Sequence, residues 1–136
     1  ERGPLTSEYG QIILPNGFAL QYPDVRGSDD EEENSSWVYG INGVTHRLHG
    51  GLVQENEIQG LAGVFIDEKI LEIEDTFDME VIPVHQVHDE ILCLCPEKRA
   101  DEALHIIATD IMSTSPTWFP DLPVRAEGGH DVRYSK

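Results

Sequence analysis

Two Asn-Gly dipeptides, Asn16-Gly17 and Asn42-Gly43, each sit between two short apolar runs. Asn and Gly supply the positive φ angles that a tight hairpin turn needs. The flanking runs are Gln11-Ile12-Ile13-Leu14 with Phe18-Ala19-Leu20-Gln21-Tyr22, and Trp37-Val38-Tyr39-Gly40-Ile41 with Val44-Thr45-His46-Arg47-Leu48. Both pairs read as antiparallel β-hairpins, with Pro23 ending the first. Between them lies Asp29-Asp30-Glu31-Glu32-Glu33-Asn34-Ser35-Ser36, a run of like charges that reads as a solvated, mobile loop.

Gly50-Gly51 reads as a break, after which the pattern turns helical. From Leu52 to about Glu74, the residues Leu52, Ile58, Leu61, Ala62, Phe65, Ile66, Ile70 and Ile73 recur at spacings of three and four. Met79–Gln86 and Glu90–Cys95 form a third hairpin. Pro96 and Glu97 open a second helix, Pro being suited to a first turn. Its apolar stripe is Ala100, Leu104, Ile107, Ala108, Ile111 and Met112. Leu122–Ala126 is expected to be a last strand. The order hairpin, hairpin, helix, hairpin, helix, strand predicts an α+β domain in which antiparallel β-hairpins pack with two helices.

At 136 residues and 39% hydrophobic content the chain is long and apolar enough for one modest globular domain. Its 26 acids and 9 bases give a formal net charge of -17. Such a chain repels a polyanion at long range, so nucleic acid would be met only with basic surface supplied elsewhere or with metal ions bridging locally. The plainer meaning of the charge is a soluble, solvated surface. Cys93 and Cys95 lie one residue apart on the same face of a strand and read as small buried hydrophobes in a reducing compartment, not as a disulfide or a zinc site. No apolar run approaches membrane-spanning length and none reads as a signal peptide. Glu1 in place of Met points to a processed or excised piece.

The third hairpin carries the chemistry. In Val84-His85-Gln86-Val87-His88-Asp89-Glu90-Ile91-Leu92 an apolar strand runs into His-Asp-Glu and a second one leaves it. Two acids and an imidazole at the tip of a hairpin that is otherwise buried suggest a bound divalent metal. Two-metal phosphoryl transfer needs fixed carboxylates of this kind, with the cations about 3.5–4 Å apart. On the tripeptide alone an ordinary polar turn, with Asp89 bonding its own backbone, is the preferred reading. A His85, His88 and Asp89 metal cluster is weaker still, since strand alternation sets the two histidines on opposite faces.

Gln86-Val87-His88-Asp89-Glu90 between two apolar strands resembles motif C of family A DNA polymerases, the bacterial polymerase I and phage type. His49-Gly50-Gly51-Leu52-Val53-Gln54-Glu55-Asn56-Glu57-Ile58-Gln59 is similar to the Tyr-Gly-Gly-x-Leu-x-Glu-Asn-x-x-Gln run that opens a palm helix in phage members. Leu14-Pro15-Asn16-Gly17 with Tyr22-Pro23 resembles the Leu-Pro-Ser-Gly hairpin ahead of it. The order and spacing of the three agree, and the resemblance covers nearly the whole chain. It implies the C-terminal part of a palm over residues 1–136: hairpins and acidic loop at 1–51, palm helix at 52–75, motif C hairpin at 79–95, and helix with final strand at 96–136.

The resemblance also implies roles. Asp89 and Glu90 would be the catalytic and metal-binding carboxylates for two Mg²⁺ ions, with Mn²⁺ as a substitute. His88 and Gln86 would approach the primer end. Asn56 and Gln59, one turn apart on a helix, would reach the minor groove, where donors check pair geometry without reading sequence. Their plainer reading is an exposed polar helix face. Arg47 and His46 would touch phosphate. Leu52 stands where the family usually has a basic residue. A motif A strand and a fingers helix have no counterpart, Tyr39-Gly40 being only a superficial match to the latter's end. The thumb and exonuclease are likewise absent from the resemblance. The implied activity is template-directed DNA polymerisation on primer-template DNA with dNTPs, in complex with a second polypeptide or chain segment, without a membrane, in the cytoplasm of a cell or phage-infected host. The competing expectation is a non-enzymatic acidic interaction module, a DNA mimic or a structural subunit, which the charge favours.

Overall fold

The structure is a computed structural model that describes residues 3–28 and 37–134. The acidic run at 29–36 lies outside the described residues. The fold is α+β, with antiparallel strands in small sheets and two helices. The chain divides into two compact units, Glu1–Val64 and Phe65–Lys136.

In the first unit, β1 (Thr6–Glu8), β2 (Gln11–Ile13) and β3 (Ala19–Gln21) form one antiparallel sheet. The β2–β3 connection differs from a two-residue Asn-Gly turn. Gly17 N–H donates to Leu14 C=O at 2.9 Å and Leu14 N–H to Phe18 C=O at 2.8 Å, with positive φ at Gly17 but not at Asn16. This is a three-residue loop in which Gly17 takes the left-handed position. Asn16 contributes through its side chain, whose Oδ1 accepts the Phe18 N–H at 3.1 Å.

The second sheet is β4 (Arg26–Gly27), β5 (Trp37–Ile41) and β6 (Val44–Leu48). Its Asn42-Gly43 turn has positive φ at both residues, as a two-residue hairpin requires. β1 and β4 have no period-2 apolar signal; they are two or three exposed residues recruited as edge strands by the ladder itself.

The long helix α1 (Gly50–Phe77) contributes residues to both units. It starts at Gly50, two residues before the expected start at Leu52, because Gly50-Gly51 forms its first turn and not a break. His49 makes this start: its ring Nδ1 accepts the Leu52 N–H at 3.1 Å, satisfying one of the orphan donors of a helix N-terminus. Gly60 lets the helix approach β2's end closely, since a Cβ there would lie 3.0 Å from Leu14 Cδ1. Ile58 departs from the expected stripe and is exposed. α1 ends where Asp78 and Met79 both take positive φ.

The second unit holds the larger core. Ile73, Phe77, Val81, Ala103 and Ile111 cluster, with Ile91, Cys93, Cys95, Ile106 and Ile107 packed against them. The hairpin β7 (Ile82–Val87) and β8 (Glu90–Leu94) lays one face on this core. The second helix is not uniform. A 3₁₀ turn at Glu97–Arg99 leads into α2 (Ala100–His105), which widens to a π-helix at Ile106–Ile111. Ahead of the widening, Ala103 and not Leu104 joins the buried cluster, with Ile111 at the far end of the π-helical turn.

Leu122–Ala126 is not a strand. Pro123 cannot donate to a ladder, and the segment's polar groups are taken up by serines: Ser115 Oγ donates to Leu122 C=O at 2.7 Å, and Ala126 N–H donates to Ser113 Oγ at 3.0 Å. The loop before it is tied down by Trp118, whose indole N–H donates to both carboxylate oxygens of Glu68 at 2.9 Å.

Candidate functional site

β7 and β8 are joined by two residues, His88 and Asp89, with Val87 and Glu90 as the last paired residues. A turn this short normally has Gly, Asn or Asp at positions of positive φ. Here His88 occupies one, at φ 53°. Asp89 follows it directly and is exposed at the tip. Gln86 reaches forward along the strand and its Nε2 donates to the His88 C=O at 3.2 Å.

The hairpin is less buried than its sequence suggests. Val84 is 50% and Leu94 64% exposed, and His85, Gln86 and His88 are exposed as well. A two-stranded sheet has only one face to bury, and that face lies on the Ile73 cluster. A register shift between Pro83 and His85 also breaks strict alternation, and His88 stands in the turn itself. The opposite-face argument for the two histidines therefore does not apply. Among the described residues no group of three or more His, Cys, Asp or Glu side chains is arranged to hold a metal ion.

The donors present suit a hard cation in kind. Asp89 offers an exposed carboxylate on a short turn, and Glu90 is its half-buried neighbour with an interaction of its own. Mg²⁺ takes oxygen ligands, commonly one or two carboxylates together with substrate phosphates and water. In number these donors do not close a cage among the described residues.

The structure brings Gln86, His88, Asp89 and Glu90 together in the second unit, whereas Arg47, Asn56 and Gln59 belong to the first. Asn56 Nδ2 donates to the Tyr22 hydroxyl at 3.1 Å, so one of its two donor positions is already used within the fold. Gln59 is exposed, and its Nε2 donates to Glu55 Oε1 one turn back at 3.2 Å. Gly51, Gln54, Glu55, Ile58 and Gln59 line a shallow open depression along the start of α1. Arg47 is exposed opposite Val38 in the β5–β6 ladder and has an interaction within the chain. His46 lies against Tyr39 with ring centroids 5.4 Å apart, and Tyr39 meets Tyr22 edge-on at 5.4 Å.

Tyr22 is the residue that sequence reading passed over. It follows β3 directly and links Asn56 to Tyr39 and through it to His46, contacts that no local sequence signal marks. Cys93 and Cys95 are free and half-buried, packed against the core. Burial first, and then the neighbouring Cys95, push the Cys93 thiol from 9.0 up to about 11.

Comparison with protein-family models, with curated proteins and with solved structures finds no match. No helix among the described residues is long and apolar enough to cross a membrane.

Proposed function

We propose that this chain is part of the palm of a family A-like DNA polymerase and supplies carboxylates for nucleotidyl transfer from a dNTP to a primer 3′-OH. The observation that carries the reading is the two-residue His88-Asp89 turn, which presents Asp89 to solvent beside Glu90 at the end of a hairpin seated on the core. Asp89, with Glu90 in support, would hold Mg²⁺, or Mn²⁺ in its place. When bound, such ions stabilise the attacking and leaving oxygens of an in-line displacement.

On this reading the chain works with a second polypeptide or chain segment bearing motif A, fingers and thumb, which would supply the remaining ligands. The helix carrying Asn56 and Gln59 places two amides one turn apart, suited to the minor groove of primer-template DNA. With 26 acids against 9 bases, most phosphate contacts would come from the partner. His88 and Arg47 are the further DNA-facing residues of this reading.

The test is primer extension with Mg²⁺ and dNTPs by the complex that co-purifies with this chain, wild type beside Asp89→Ala. Collapse in the variant supports the assignment; equal extension makes the hairpin structural. The net charge of -17 favours a second reading, a non-enzymatic acidic module that mimics DNA or serves as a structural subunit. That reading predicts partner binding that weakens steeply with salt and ignores both Mg²⁺ and Asp89.

A further inference from the structure

His88 is the awkward member of the turn. With a Cβ and an imidazole it sits at φ 53°, a region uncommon for any residue other than Gly, although His enters it more often than most, as Asn and Asp do. The contrast lies within the same chain: the equivalent two-residue connection between β5 and β6 uses Asn42-Gly43, which adopt positive φ readily. A strained residue persists only where its surroundings hold it. Among the hydrogen bonds at this turn, one comes from a side chain that spans it: Gln86 Nε2 to the His88 carbonyl oxygen at 3.2 Å.

That carbonyl belongs to the peptide unit whose nitrogen is Asp89's. Peptide units are planar. Fixing the oxygen of His88 therefore fixes the N–Cα bond of Asp89, and with it the point from which the Asp89 side chain starts. We infer that Gln86 is a positioning residue, whose amide holds the His88-Asp89 peptide in place and so sets the Asp89 Cα from which the carboxylate is presented. The inference rests on the reading of Asp89 given above and reassigns Gln86 within it, from a DNA contact to a brace behind the carboxylate. Gln86 pairs across the ladder with Ile91, so its backbone is held by β8 while its side chain reaches to the turn.

Gln86→Ala and Gln86→Glu both remove the donor, the second with length retained. Each variant is compared with Asp89→Ala in the co-purified complex, and by NMR in the full chain. The expected result is that the Mg²⁺ midpoint for extension rises about tenfold, the scale seen when a group behind a metal ligand is lost, while the Kd for primer-template is unchanged. In the NMR arm the His88 HN–Hα coupling and the Asp89 resonances move. His88→Gly relieves the need for the brace, so in that background Gln86→Ala leaves the Asp89 resonances in place. Unmoved His88 coupling and Asp89 resonances in Gln86→Ala overturn the inference, whatever Asp89→Ala does to extension. So does a weaker Kd with an unchanged Mg²⁺ midpoint, which returns Gln86 to direct DNA contact. Extension indifferent to Asp89→Ala removes the polymerase reading instead, and the NMR arm then decides separately whether Gln86 holds the turn.

Discussion

Asn56 and Tyr22, 34 residues apart in sequence, are joined by a hydrogen bond of 3.1 Å from the amide nitrogen to the phenolic oxygen. Tyr22 is buried at 6% exposure and its ring meets Tyr39 edge-on. Tyr22→Phe keeps the ring packing and deletes the acceptor, and is expected to cost about 1 kcal/mol. A urea-denaturation cycle with Asn56→Ala checks this, with a coupling of about 0.5–1.5 kcal/mol expected. Additive effects would show that the bond contributes nothing.

Asp89 separates activity from stability. It is exposed at the turn, so Asp89→Ala is expected to change stability by no more than about 0.5 kcal/mol. Primer extension by the complex should fall by about two orders of magnitude or more, as loss of a ligand to ions worth several kcal/mol in the transition state implies. Thermal denaturation and extension assays on the same preparation measure both.

Cys93 gives the hairpin a signature at high pH. Its folded thiol titrates at about 11 against an ordinary 9.0, through burial and the nearby Cys95. The folded state therefore holds the proton more tightly than the unfolded one. The resulting stability is fully present below pH 9.0 and is lost as pH rises through about 11. Denaturation midpoints of the wild type should fall across that window more steeply than those of Cys93→Ala. Iodoacetamide should label Cys93 slowly at pH 8 and faster as the pH climbs, because the thiolate is the nucleophile.

The end of α1 holds two successive left-handed residues, Asp78 at φ 43° and Met79 at φ 69°. Met79 is 69% exposed, so little packing is lost when it is replaced. A left-handed non-glycine residue costs about 1–2 kcal/mol, part of which glycine returns as chain entropy in the unfolded state. Met79→Gly is expected to stabilise the chain by about 0.5–1 kcal/mol, read as a higher urea midpoint at unchanged m-value.

Much of the architecture was legible locally. Asn42-Gly43 carries its turn chemistry in its own two residues. The four- and three-residue steps from Ile66 through Ile70 to Ile73 mark α1, and Ile66 and Ile73 are buried. The hairpin around His88-Asp89 was read from flanking apolar runs that do pair. The misses share a physical cause. Gly50-Gly51 reads as a break until His49 folds back to cap the helix. Leu122–Ala126 has the composition of a strand, yet Ser115 and Ser113, 7 and 13 residues from the groups they bond, satisfy Leu122 C=O and Ala126 N–H. The α-to-π change at Ile106 has no marker in composition.

The sequence by itself determined the α+β class, the hairpin order and the His-Asp-Glu tip, because turn residues and apolar periodicity act over a few neighbouring positions. Only the tertiary structure decided that Asn56 is tied to Tyr22, that Gln86 bonds the His88 carbonyl, and that one face of the Asp89 hairpin stays open to solvent. Those outcomes depend on which donor finds which acceptor once the chain has collapsed. Short-range pattern carries no record of that choice.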